Sequence, residues 1–138
     1  MSGMKIAVVG AGGRMGRMII ESTLKDGEAR LESAIDLSGA PSIGKDAGEL
    51  VGMPCGVPVT SDVEAGIAKA DCLIDFTRPE GTLEHLALCV RHKVAIVIGT
   101  TGFDEEGKQT IADASREIPI VFAPNMSVGV NVVFKVLD

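Results

Sequence analysis

The chain has no tryptophan and no tyrosine, and only four phenylalanines and two histidines. With so few flat rings there is little on which a nucleic-acid base could stack. Cationic side chains are outnumbered, 13 against 19 acidic ones, for a formal net charge of −6 and a pI near 4.9. That balance carries no basic footprint for a phosphate backbone, so nucleic acid is not an expected partner. Long apolar runs are missing too. The longest near the middle, Val94 to Ile98, falls far short of the about 20 residues that cross a bilayer. The opening MSGMK lacks the charged and apolar regions of a secretory leader. A cytoplasmic location without a membrane partner is therefore expected. The cysteines, at 55, 72 and 89, are odd in number and widely spaced, which suits neither a disulfide framework nor a cysteine zinc site.

What the chain does have is glycine, 17 of 138 residues, well above the usual share of about 7% and gathered into a few turns. Apolar residues make up 46%, enough for one folded domain with a real core. Short apolar runs alternate with helical spacings. Lys5 to Val9, Leu31 to Asp36, Cys72 to Phe76, Val94 to Ile98 and Ile118 to Phe122 read as strands. Between them, Gly13 to Lys25 places Gly16, Ile19, Ile20 and Thr23 on one helical stripe. Ser61 to Glu64 and Thr77 to Glu80 fit capping boxes that open helices. The second of these helices carries Leu83, Leu86, Ala87 and Val90 on its expected buried face. Asp104 to Glu117 and Ser127 to Asp138 read as helices, and residues 37–59 mostly as loop. Such alternation predicts an α/β fold, a doubly wound parallel sheet of the Rossmann type. Ligands of such sheets bind at the carboxyl ends of the strands.

Those ends hold the chemistry. Gly10, Ala11, Gly12, Gly13, Arg14, Met15 and Gly16 follow a strand and open a helix, the setting a dinucleotide fingerprint needs. The glycines permit a tight turn and close approach of a pyrophosphate to a helix N-terminus. The spacing fits GxxGxxG better than GxGxxG. Asp36 ends the second strand, 20 residues past Gly16, where an acid would accept from the adenine ribose hydroxyls. A carboxylate there repels a 2′-phosphate and Leu37 offers no cation, so NADH is expected in preference to NADPH, with NADPH still possible through Arg14. Gly99, Thr100 and Thr101 leave a buried strand and could face the nicotinamide. They equally fit a turn before a helix capped by Thr101 or Asp104. Phe76, Thr77 and Arg78 carry the same two readings, Thr77 as a helix cap and Arg78 as a solvated side chain. His85, Cys89 and His92 share one helical face, but nothing completes a metal set. The expectation is a solvent-facing side of the helix and no bound metal. Cys72 reads as a small core residue.

The segments GAGGRMG, IDFTRPEGT (74–82), VIGTTGF (97–103) and SVGVN (127–131) closely resemble those of the dihydrodipicolinate reductases, across nearly the whole chain and in order. The resemblance implies an oxidoreductase of diaminopimelate and lysine biosynthesis that reduces a dihydrodipicolinate-type small molecule to tetrahydrodipicolinate with NADH or NADPH. It implies that Gly10 to Met15 cradle the pyrophosphate, that Asp36 holds the ribose, and that Gly99, Thr100, Thr101 and Ala123, Pro124, Asn125 and Met126 line the nicotinamide side. Residues 1–126 would form the dinucleotide-binding domain and residues 127–138 begin a connection to a second domain. That second domain carries the family's paired histidines, substrate lysine and carboxylate-binding segment, and builds its homotetramer. None of those motifs occurs in this sequence, so no catalytic residue is named within it and the chain alone is expected to be inactive. Two other readings stay open here. One is a stand-alone NAD(H)-binding or redox-sensing module, the other the cofactor domain of a different two-domain dehydrogenase.

Overall fold

A computed structural model describes residues 4–26 and 29–122; Ala123 to Met126 and the expected tail helix over 127–138 lie outside the described residues. Six strands form one sheet in the order β3-β2-β1-β4-β5-β6. They are β1 (Met4–Val9), β2 (Ala29–Ile35), β3 (Val59–Thr60), β4 (Cys72–Asp75), β5 (Ala95–Ile98) and β6 (Ile120–Phe122). Every pairing in the ladder is parallel. The crossovers are α1 (Arg14–Lys25), α2 (Val63–Ala68), α3 (Pro79–His92) and α4 (Glu105–Ala114), with a short 3-10 helix at Ala47–Val51. The chain reverses its direction of travel across the sheet between β1 and β4. In an open sheet of this kind that is where a crevice forms beyond the carboxyl ends.

Alternation along the central strands divides the core. Ala7, Val9, Leu73, Ile96 and Ile98 join Ile67, Leu86, Cys89 and Ala114 on the face covered by α2, α3 and α4. Ile6, Val8, Ile74 and Val97 join Ile19, Ile20 and Ala47 on the opposite face. Strands buried on both faces read as continuous apolar runs, as these do. On α1 the buried residues are Gly16, Ile19, Ile20 and Thr23, the stripe the spacing implies.

Three local expectations change. The segment 37–59 holds the 3-10 helix, fixed by the Asp46 carboxylate, which accepts from the N–H groups of Gly48, Cys55 and Gly56. β3 makes only two ladder pairs with β2. Asp62, not Ser61, caps α2 by accepting from the Ala65 N–H. The buried arc of α3 is Thr82, Leu86 and Cys89, with Leu83 and Val90 at its margins and Ala87 exposed. The reason is that α3 packs against α2 and α4 as well as the sheet, which buries a wider arc than one stripe.

Candidate functional site

The turn after β1 is shaped by its glycines. Gly10 has φ +79, a conformation that costs a side-chain-bearing residue about 1 kcal/mol or more. The N–H groups of Gly10 and Ala11 both donate to the Ile35 carbonyl, at 2.8 and 3.0 Å, and so tie the turn to the end of β2. A Cβ on Gly16 would run into the Gly10 carbonyl, so the first turn of α1 lies directly on this loop. Gly13 is the N-cap, with no side chain to accept from the helix, and the first turn contains no acid. By contrast, α2 and α4 are capped by Asp62 and Asp104 and carry glutamates in their first turns. The amino end of α1 thus offers N–H groups, a positive dipole end and the exposed Arg14 to an anion.

Asp36 follows β2 and is half-buried. Its Oδ2 accepts from the Gly12 N–H at 2.9 Å and the Ser42 hydroxyl at 2.8 Å, and its Oδ1 accepts from the Leu37 N–H at 2.9 Å. A carboxylate has about four acceptor positions, so Oδ1 retains one for a ligand hydroxyl. The neighbouring Leu37 is 80% exposed. Ser42 was not anticipated from the sequence, since it lies inside a stretch that reads as loop.

On the other side of β1, Phe76, Thr77 and Arg78 follow β4, and Gly99, Thr100 and Thr101 follow β5. The Phe76 ring lies flush against Gly99, where any Cβ would displace it. Arg78 and Thr101 are exposed. Thr77 does not cap α3. The N-cap is Arg78, without a side-chain bond, and the Thr77 hydroxyl donates instead to Asp75 at 2.6 Å. The Thr100 hydroxyl is also turned inward, 2.7 Å from that of Thr82, and the residue is only 3% exposed. Of the two hydroxyls expected to face the nicotinamide, only that of Thr101 lies on an exposed residue. Asp104 is the cap of α4.

The face of α3 bearing His85, Cys89 and His92 is not solvent-facing. Cys89 is fully buried, and its thiol is pushed up to about 12, first by burial. Nδ1 of His85 lies 2.6 Å from Asp75 Oδ2, and Nε2 of His92 lies 2.9 Å from Glu64 Oε2. That contact with His92, ahead of the Arg91 charge, holds the Glu64 carboxyl below its ordinary range. Among the described residues no three metal-ligating side chains come together. Cys72 is buried as expected, its thiol also pushed up to about 12 by burial. Asp75 is the residue sequence reading missed. The available signal was an acid in the apolar strand CLIDF, two residues before a threonine.

The residues present fit a dinucleotide: a cradle that side chains would fill, an acid-free helix end and an acid with an open acceptor stand at one sheet edge. Residues 4–126 match the family model described as dihydrodipicolinate reductase, N-terminus. The 4-hydroxy-tetrahydrodipicolinate reductase of Dechloromonas aromatica (strain RCB) is 63% identical over 138 residues, 100% of this chain and 52% of that protein. That of Cupriavidus pinatubonensis (strain JMP 134 / LMG 1197) is 59% identical over 135 residues, 98% of this chain and 51% of that protein. The chain spans about half the length of the curated relatives it matches. Among solved structures, the dipicolinate-bound dihydrodipicolinate reductase from Paenisporosarcina sp. TG-14 superposes with a TM-score of 0.65 at 28% identity. It covers 82% of this chain and 43% of that one. GenD2 from gentamicin A biosynthesis, solved in complex with NAD, shares the fold with a TM-score of 0.72 at 18% identity, over 91% of this chain and 35% of that one. The reading as part of a different two-domain dehydrogenase falls away: the chain belongs to the dihydrodipicolinate reductase family and spans its N-terminal part.

Proposed function

We propose that this chain is the cofactor-binding half of a cytoplasmic reductase of diaminopimelate and lysine biosynthesis, which reduces a dihydrodipicolinate-type substrate to tetrahydrodipicolinate. The observation that carries the reading is the pairing of an uncapped, acid-free amino end of α1 with a partly open Asp36 on the adjacent strand. The Gly10 to Met15 turn cradles the pyrophosphate, which the N–H groups at the amino end of α1 bind, and the free acceptor position of Asp36 binds the adenine ribose. Phe76, Thr77, Arg78 and Gly99 to Thr101 flank the nicotinamide end, with Ala123 to Met126 completing that side. When bound, the dinucleotide supplies the hydride. NADH is the preferred form, because the Asp36 charge opposes a 2′-phosphate and Leu37 does not offset it.

The chemical step needs more than this half. The acceptor must be held about 3 to 3.5 Å from the hydride donor, with a proton donor in reach of the developing charge. Both histidines of the chain are engaged, with Asp75 and with Glu64. A second domain, joined through residues 127–138, would grip the substrate, donate the proton and build a homotetramer. Calorimetric titration tests the binding role: NADH should bind the chain, and more tightly than NADPH. Tighter NADPH binding at moderate salt would overturn the role given to Asp36. Purified alone, the chain should show no substrate-dependent NADH oxidation, and adding the second domain should restore it. Turnover by the chain alone would overturn that division of labour.

A further inference from the structure

Between β4 and α3 lies a polar cluster centred on Asp75 and His85, to which no cofactor contact is assigned above. Asp75, the last residue of β4, has 0% exposure. Its Oδ1 accepts from the Thr77 N–H at 2.9 Å and the Thr77 hydroxyl at 2.6 Å. Its Oδ2 lies 2.6 Å from Nδ1 of His85, whose side chain is 12% exposed. With the other oxygen taken by two donors, the arrangement is satisfied when the imidazole donates from Nδ1. Next to it, the fully buried Thr82 hydroxyl stands 2.7 Å from that of Thr100 and 3.5 Å from that of Thr77. The Asp75 carbonyl accepts from the Gly99 N–H at 2.8 Å. One side-chain network therefore spans the loop after β4, the start of α3 and the loop after β5.

Burying a carboxylate in an apolar layer is expensive, and an apolar residue of similar volume often gives a fold that is as stable or more so. What the apolar residue could not do is fix direction. Two bonds from one oxygen hold both the backbone and the rotamer of Thr77. Its methyl group then stands where a Cβ on Gly10 would meet it at 3.3 Å, against the glycine turn itself. The residues held by the cluster are thus residues of the site edge.

We propose that Asp75 and His85 are positioning residues for the dinucleotide: paired beneath the site, they hold Thr77 and the Gly99 to Thr101 loop in the arrangement that receives the nicotinamide end. This rests on the cofactor reading above. It assigns His85 a part through Asp75 and Thr77, without contact to the reacting atoms.

The test compares His85→Ala, His85→Asn and, as a control away from the cluster, His92→Gln. The amide nitrogen of an asparagine reaches the place of the imidazole Nδ1, so His85→Asn keeps the donor to Asp75. Amide hydrogen exchange is followed at Thr77, Gly99, Thr100 and Thr101, and NADH affinity by calorimetry. In His85→Ala, exchange at those amides should quicken about ten-fold and the NADH dissociation constant rise about ten-fold. His85→Asn should return both to near the parent values, and His92→Gln should move neither. Nitrogen NMR of the parent should show His85 protonated at Nδ1. Unchanged amides, acceleration spread evenly over the sheet, or failure of His85→Asn to rescue would each overturn the pair's role. If the parent binds NADH and His85→Ala binds it equally well, the positioning role alone fails. If the parent does not bind NADH, the cofactor reading fails, and the purpose given to the pair with it.

Discussion

Asp36 and Asp75 flank the same strand. Both stand at the carboxyl ends of neighbours of β1, and each accepts three hydrogen bonds from the chain. The difference is access. Asp36 is half-buried, with one acceptor position open at a surface bounded by Gly12 and the exposed Leu37. Asp75 is sealed, and its donors all come from the segment that follows it. The same residue type at the same edge is left open to a ligand in one place and becomes an internal fixing in the other. The donor count does not decide this; what covers the carboxylate does.

The largest effect is expected from breaking the sealed member. Asp75→Ala leaves the Thr77 and His85 donors without their buried acceptor, and should cost about 3 to 5 kcal/mol in urea unfolding. Asp36→Ala removes a half-exposed group and should cost markedly less, so equal losses would erase the distinction. Next comes Gly12→Val. A Cβ there would meet Asp36 Oδ2 at 2.7 Å and Ser42 Oγ at 2.9 Å. The valine should therefore push the recognition carboxylate aside and weaken NADH binding by about 1 to 3 kcal/mol while circular dichroism stays native. Leu37→Arg sharpens the recognition side by placing a cation beside Asp36. It should narrow the gap between NADH and NADPH by about 1 kcal/mol, read from paired titrations.

The smallest effect belongs to a third carboxylate, outside the pair. Asp46 is lowered from 3.8 to about 2, first by the Gly56 N–H and then by that of Cys55, with Gly48 adding to them. A carboxyl depressed by folding contributes stability above its unfolded value, and loses it as pH falls through its folded one. The melting temperature of Asp46→Asn should therefore lie below that of the parent at pH 5, and the gap should close as the pH approaches about 2. A gap that persists there would show that the loop is held by something other than the ionised carboxylate.

Most of the fold can be read from period and punctuation. The α1 stripe, the glycine turn and the five longer strands carry strong local signals, and Asp36 stands at the end of β2 as the strand pattern implies. What was not legible depends on contacts between segments. β3 has only two residues, directly after Pro58, and exists only because β2 offers a partner edge. The capping boxes misplace two helix starts by one residue because Asp62 competes with Ser61, and because Thr77 spends its hydroxyl on Asp75. Asp75 and His85 are ten residues apart, and a turn of chain must fold back before they meet. Leucine spacing alone put the His85 and Cys89 side of α3 in solvent, since it contains no information about α2 and α4 packing alongside.

The strand order has a consequence in time as well as space. β1 finds β2 after one short helix, but its other edge waits for β4, which begins at Cys72. Until then the apolar Ile6 to Val9 presents unpaired backbone groups along one side. Long-range parallel pairing is slow because loop closure must precede any gain from it. A ribosome adding about 5 to 20 residues per second would leave that edge open for several seconds. The crevice proposed as the site is therefore also the seam at which the second half of the sheet begins to join the first, and a nascent chain stalled before β4 would be most prone to pair with another.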